Sequence, residues 1–266
     1  MSALQGLGWT FDTVASTYEK YRPGYVDELY QAIFKYISID KNSNVVEVGS
    51  GGGQATGPML QTGCRLTAVE CGECFSGRLK EKFREYQNFS VINGKFENVD
   101  FPENTFDLVF SASAFHWIPE AIGYKKVFSM LKSGGAFARF ANHPYRAKGT
   151  PALSGEIDEI YDEYYYRYYN KKREPLRAYT DAQAKTRAMI AEKYGFADIQ
   201  YALFYRERVF SAREYVELLG TYSDHIAMEE SIRQPFFLKI EEAINRHGGT
   251  ITVSDTIDLQ LARKNG

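Results

Sequence analysis

The chain has 266 residues, long for one compact domain and short for two full ones, which points to a single core domain carrying a substantial insertion. Apolar residues make up 44% and charged residues 25%, a balance that excludes disordered and fibrous classes. Lys plus Arg (32) nearly matches Asp plus Glu (34), and a formal net charge of -2 supplies no large field for nucleic acid or anionic membrane, so neither is expected as a partner.

The opening MSALQGLGWTFD lacks the basic and apolar regions of a secretory signal, and nowhere do about 18 apolar residues run together. A cytoplasmic protein is expected. Cys64, Cys71 and Cys74 show no framework spacing. Cys71 and Cys74 spell CxxC, but no second pair or His cluster follows, so reduced thiols and no metal are expected.

Apolar positions recur at helical spacing from Val26 to Ile37, behind the start signal Pro23-Gly24. Asn44 to Val48 is a short β-branched run, followed by glycines and a helix over Gln54 to Leu60. RLTAVE, Arg65 to Glu70, reads as a second strand; a helical pattern covers Phe75 to Tyr86, and a third strand Phe89 to Asn93. FDLVFS, Phe106 to Ser111, is the fourth strand. A helix from Glu120 to Leu131 ends at Gly134-Gly135, and Ala136 to Ala141 forms the fifth strand. Beyond Asn142 the pattern turns to longer helices, Leu153 to Lys172 and Ala182 to Lys193. Strands at Ile199 to Val209 and Thr250 to Leu261 enclose helices at Ala212 to Leu219 and Glu229 to His247.

Alternation of strands with helices of about ten residues implies right-handed βαβ crossovers. The expected fold is α/β: a doubly wound, mostly parallel, seven-stranded Rossmann-like sheet with a helical lid inserted in the C-terminal half. The expected division is a cofactor-binding core with an N-terminal arm over residues 1–142, then lid insertions and the last two strands over 143–266.

The loop Glu47-Val-Gly49-Ser50-Gly51-Gly-Gly53 follows the first strand, where open parallel sheets place their ligands. A dinucleotide fingerprint starting at Gly49 and Gly51 requires Gly or Ala where Gln54 stands, and no Lys-Ser or Lys-Thr completes a phosphate loop. Instead an acid stands two residues before the first glycine, and a second acid, Glu70, ends the next strand. A glycine turn alone is weak evidence, since close-packed loops also use it.

With both acids in place, the chain resembles the class I S-adenosylmethionine-dependent methyltransferases, whose first motif is [D/E]xGxGxG and whose second strand ends in an acid. The resemblance covers most of residues 8 to 141. It implies S-adenosyl-L-methionine as cofactor, with Gly49, Ser50 and Gly51 against it, Glu47 toward its positively charged methionine end and Glu70 accepting both ribose hydroxyls. VINGKFENVDFPENTFDLVFSASAFHWI is similar to the type-11 subgroup. By that match Phe96 lies on the adenine with its backbone NH near a ring nitrogen, and Cys71 flanks the base. The backbone at Ser111 and Ala112 approaches the methionine moiety. FDTVASTYEKYRPGY, Phe11 to Tyr25, resembles the arm that closes over the cofactor, with Tyr18 over the sulfonium and Arg22 toward the carboxylate. Both residues also read as packing of an N-terminal helix.

Methyl transfer from a sulfonium depends mainly on alignment, so no catalytic signature is obligatory. His116 and Trp117 follow the fourth strand, where amine- and amide-methylating members of the family often carry Asn-Pro-Pro-Tyr. FHWI resembles trans-aconitate and insect juvenile hormone acid methyltransferases, which esterify small carboxylic acids. On that reading Trp117 orients a carboxylate, or His116 serves as base for a hydroxyl; structural packing is an equal alternative. The expected acceptor is therefore a small molecule methylated on a carboxylate or hydroxyl oxygen, in a monomer or homodimer. The rival readings are an RNA or protein methyltransferase and a non-catalytic cofactor-binding protein.

The 20 tyrosines include the run YDEYYYRYY, Tyr161 to Tyr169. At helical spacing Tyr161, Tyr165, Tyr168 and Tyr169 share a face with Ile157, while Tyr164 and Tyr166 point elsewhere. Such rings suit an acceptor pocket or a dimer contact, and Tyr222 and His225 are candidates for the same pocket.

Overall fold

In a computed structural model, residues 15–146, 151–175 and 177–265 are described. Phe11 to Val14 of the N-terminal arm lie outside them. The elements run α1 (Ala15–Tyr21), α2 (Asp27–Tyr36), β1 (Asn44–Val48), α3 (Thr56–Leu60), β2 (Arg65–Glu70), α4 (Glu73–Lys82), β3 (Phe89–Asn93), β4 (Phe106–Ala112), α5 (Glu120–Met130) and β5 (Leu131–Arg146). Then come α6 (Pro151–Ile160), α7 (Asp181–Ala188), β6 (Phe196–Ser211), α8 (Ala212–Leu219), α9 (Ser223–Ile226), α10 (Glu230–Arg246) and β7 (Thr250–Lys264).

One seven-stranded sheet carries the order β3-β2-β1-β4-β5-β7-β6. β1 pairs in parallel with β2 and with β4, β2 with β3, and β4 with β5. From β1 the chain builds outward through β2 and β3 on one side, then returns to start β4 on the other. That reversal puts a crevice beyond the carboxyl ends of β1 and β4. β1 can hold this central place because Val45, Val46 and Val48 are apolar and β-branched on both faces.

The chain divides into two compact units. One holds Pro23–Asn142, Tyr179–Phe204 and Ile257 onward; the other holds the described residues up to Arg22, those of His143–Ala178, and Tyr205–Thr256. The core unit thus ends its first segment at Asn142, but residues up to Arg22 group with the helical unit, and two later segments rejoin the core. Within the core unit, Leu29, Ile33, Met59, Leu66, Leu79 and Leu108 belong to one apolar cluster, and Val46, Val69, Val109, Phe115, Tyr124 and Phe137 to another. Within the helical unit, α6, α8 and α10 bury Ile157, Leu218, Phe236 and Ile240 together.

Several expected boundaries move. α3 starts at Thr56 rather than Gln54, because Gly51 and Gly53 take positive φ and keep the preceding residues in a turn. β5 begins at Leu131: Phe106 pairs with Leu131 and Leu108 with Ala136, so residues between them bulge, with Gly134 at φ +80°. The expected helix from Leu153 to Lys172 is α only to Ile160; Tyr161–Tyr166 form a π-helix. Its wider turn replaces the expected face, so that Tyr161, Tyr164, Tyr165, Tyr166 and Tyr169 all pack on the apolar cluster, and Tyr168 is exposed. The Ala182 to Lys193 helix is α to Ala188 and continues as 3-10 helix to Tyr194. The short helix α1 falls in the expected N-terminal helical arm, and α9 has no counterpart in the sequence reading.

Among the described residues no helix is long and apolar enough to cross a membrane, and no group of three or more His, Cys, Asp or Glu could hold a metal ion.

Candidate cofactor site

The crevice is floored by the turn after β1. Gly49 sits at φ +73°, and a Cβ there would lie 2.3 Å from the Cβ of Ala114, in the loop after β4. Only glycine lets the two loops approach this closely. The turn is pinned from three sides: Gly49 N donates to Val69 O at 2.8 Å, Gly53 N to Ser50 O at 2.9 Å, and Lys82 Nζ to Gly52 O at 2.8 Å.

Glu47 is fully buried in the last turn of β1. Its Oε2 accepts from Thr56 Oγ1 at 2.6 Å, while Oε1 is buried with no hydrogen-bond partner. Burial pushes its carboxyl up to about 8, against the pull of the Thr56 and Ser50 hydroxyls. Tyr30 Oη and Gln54 Nε2 are likewise buried without partners. Tyr30 is close enough to Glu47 for their charges to interact, and burial first, then Tyr25 and Glu47, raise its phenol far above the ordinary range. Buried polar atoms are almost always satisfied, so this cluster of orphans marks a place built for a polar guest.

Glu70, at the carboxyl end of β2, is 7% exposed. Its Oε2 accepts from Gly51 N and its Oε1 from Gly72 N, each at 2.8 Å. Each oxygen keeps a second lone pair, so the carboxylate latches two loops and still has acceptor capacity toward a diol. Cys71 is exposed beside it, its thiol pushed up to about 11 by burial of the sulfur and by Glu70.

Phe96, expected on a nucleobase, follows β3. Its ring is buried among apolar residues 6.2 Å from Phe101, with Lys126 Nζ 5.1 Å from its centroid. Ser111 Oγ donates to Val48 O at 2.7 Å, so its side chain locks β4 to β1, and with Ala112 it can present only backbone. Ser113 follows at φ +56°, its N donating to Phe140 O and its Oγ 2.8 Å from Tyr25 Oη. A non-glycine residue in that conformation is strained, and such strain gathers at functional sites. His116 is exposed on a 3-10 turn with Trp117, their rings 5.1 Å apart.

Tyr18 and Arg22 lie in the helical unit. Arg22 Nε donates to Thr221 Oγ1 and its Nη2 to Thr221 O, both at 2.9 Å, and its guanidinium lies 4.2 Å from the Tyr222 ring and 5.1 Å from Tyr18.

Two acids at the ends of adjacent strands and a glycine turn forced by close approach fit a cationic nucleoside. Residues 46–138 match the family model for the type-11 methyltransferase domain. Over that stretch the chain carries a methyltransferase domain. The methyltransferase is 23% identical over 239 residues to an uncharacterized methyltransferase of Schizosaccharomyces pombe, covering 90% of this chain and 88% of that one. It is 30% identical over 143 residues to a malonyl-[acyl-carrier protein] O-methyltransferase of Ilyobacter polytropus, covering 51% of this chain and 52% of that one. A solved structure of the phosphoethanolamine N-methyltransferase 2 of Haemonchus contortus with S-adenosyl-L-methionine shares the fold, with a TM-score of 0.55 at 15% identity over 96% of this chain. The methyltransferase spans 57% of that longer chain.

Of the sequence-derived residues, Glu47, Gly49, Ser50, Gly51, Glu70, Ser111 and Ala112 fall in the turns and strand ends at the crevice. Sequence reasoning missed Tyr30, Gln54, Thr56 and Ser113. Gln54 had counted only as the residue that spoiled a dinucleotide fingerprint.

Proposed function

We propose that the methyltransferase transfers its methyl group to an oxygen of a small molecule, a carboxylate or a hydroxyl. The observation that carries this reading is the segment after β4, Ala114-Phe115-His116-Trp117, which lacks the Asn-Pro-Pro-Tyr of amine- and amide-methylating relatives. The oxygen-methylating relative from Ilyobacter polytropus supports the same choice. S-adenosyl-L-methionine supplies an electrophilic methyl on sulfur when bound.

The protein's own part is to hold and orient. Glu47 Oε1 and Gln54 are assigned to the methionine ammonium and carboxylate, and Glu70 to the ribose hydroxyls. Cys71 and the Phe96 backbone flank the base, and the Ser111 and Ala112 backbone borders the methionine. By the same resemblance Tyr18 and Arg22 are assigned to the sulfonium and the carboxylate. His116 and Trp117 meet the acceptor, Trp117 through its indole NH and His116 through a ring nitrogen. Alignment of nucleophile, methyl and sulfur supplies most of the rate in such a transfer.

The test is a release assay for S-adenosylhomocysteine with trans-aconitate, phenols and primary amines as acceptors, and mass spectrometry of the products. Methyl esters or ethers are expected. Turnover confined to amines, RNA or protein would overturn the oxygen assignment, and cofactor binding without turnover on any acceptor would leave a binding protein.

A further inference from the structure

Within the core unit, β3 is followed by a single turn of 3-10 helix, Phe96–Asn98, that its own bonds hold poorly. Asn98 N donates to Lys95 O at 2.9 Å, but Val99 N reaches Phe96 O only at 3.4 Å, and no side chain caps the start of the turn. The upstream end is fixed all the same: Gly94 N donates to Glu70 O at 2.9 Å, and Asn93 Nδ2 to the same oxygen at 3.0 Å. The downstream end leaves carbonyls that so short a helix cannot satisfy from within.

One side chain from α5 takes up two of them. Lys126 Nζ donates to Glu97 O at 3.1 Å and also to Val99 O, while the same ammonium lies 5.1 Å from the centroid of the Phe96 ring. Packing alone does not call for a cation here. Phe96 and Val127 belong to one apolar cluster, with Val99 and Phe101 packed on it, and burial pulls the Lys126 ammonium below its ordinary value against Asp100 and Glu97. A Met would fill the same space without stripping water from a charge. What the ammonium adds is direction, with N–H donors on one atom aimed at the carbonyls on either side of Asn98.

We propose that Lys126 is a positioning residue for the cofactor's nucleobase: it clamps residues 96–99 against α5, so that the Phe96 backbone N–H meets the base in a fixed direction. The proposal rests on the assignment of the Phe96 backbone to the base and deepens it. Gly94 and Asn93 tie the loop to Glu70, the proposed ribose partner, and Lys126 ties its other end to α5. The base and ribose contacts are thereby held at a set separation before the cofactor arrives. Such preorganisation raises affinity by taking the cost of ordering the loop out of the binding step. Lys126 acts through the loop, without touching the cofactor.

The test is amide hydrogen exchange read by mass spectrometry on the full chain, with and without S-adenosylhomocysteine, beside calorimetric titration of the same ligand. In the wild type the ligand is expected to slow exchange both at the glycine turn, residues 49–53, and at the loop, residues 94–99. Lys126→Met keeps the aliphatic stem and removes the ammonium. It is expected to speed exchange of the empty loop, to keep the ligand's protection of the glycine turn, to lose that of the loop, and to bind S-adenosylhomocysteine about tenfold more weakly. Lys126→Arg, which returns N–H donors, is expected to recover part of the loop protection and of the affinity. Unchanged loop protection and affinity in Lys126→Met, equal loss of protection at both segments, or an arginine variant no better than the methionine one overturns the clamp. Protection of the glycine turn alone in the wild type also overturns it, whereas no protection at either segment and no binding in the wild type would sink the cofactor assignment instead.

Discussion

Thr56 Oγ1 donates to Glu47 Oε2 at 2.6 Å, and the second oxygen of the same carboxylate has nothing to bond. The Thr56 and Ser50 hydroxyls do not compensate full burial, which is why the carboxyl is pushed up to about 8. On the proposed role of Glu47 as partner of the ammonium, a carboxyl pushed up to about 8 gives up its proton as the ligand binds. S-adenosylhomocysteine affinity is expected to rise with pH, by at most about tenfold per unit, and to level off near 8. Calorimetric titrations from about pH 6 to 9, in buffers of differing ionisation enthalpy, check this; an affinity flat across that range and no proton release would refute it.

The same shift has a cost in stability. The unfolded carboxyl ionises near 4.5 while the folded one keeps its proton to about 8, so the empty protein loses stability as pH rises through that window. Glu47→Gln removes the loss. The variant is expected to be more stable than wild type at about pH 8, by a few kcal/mol, and to bind cofactor worse. Urea denaturation at about pH 5 and pH 8 reads the difference, which should nearly vanish at the lower value.

Glu70→Ala removes a carboxylate that accepts from Gly51 N and Gly72 N as well as the proposed ribose contacts. With hydrogen bonds to charged groups at about 1.5–3 kcal/mol each, cofactor affinity should fall at least about 100-fold. His116→Ala, on an exposed turn, should leave it within about twofold. Equal losses in calorimetry would count against the assignment of Glu70.

Gly49→Ala places a methyl 2.3 Å from Ala114 Cβ at φ +73°. A loss of about 2–4 kcal/mol is expected from clash and backbone strain together. Adding Ala114→Gly should recover the clash and leave the strain, so the double variant should unfold between the single variant and wild type. No recovery would mean that the loops approach less closely than described.

Asp224→Asn tests the helical unit through acid stability. The carboxyl is held below its ordinary value, so its contribution is present above about 3.8 and is lost as pH falls toward the folded value. The variant should be less stable than wild type at neutral pH by about 1–3 kcal/mol, the gap closing in acid. A gap that stays constant down to about pH 2 would show that the charge contributes nothing.

The strands β1, β2 and β3 were legible to the residue, because each is a short run with β-branched residues between turn signals. The glycine turn and its two acids were legible for a similar reason: a positive φ and a carboxylate at a strand end are requirements that only a few residue types meet. Helix ends and the tyrosine run were not, since α and π turns of the same residues differ by one residue per turn, and packing on Phe236 decides between them.

The sequence by itself determined the order of the seven strands along the chain and the glycine turn with an acid on each of two neighbouring strands, which follow from local residue chemistry. The tertiary structure alone decided that Glu47 is buried with an unpaired oxygen, that the Phe96 ring is buried among apolar residues, and that Tyr161 meets His225 across 64 positions of chain. Burial and long-range hydrogen bonding depend on which surfaces fold together, and no local pattern of residues encodes that.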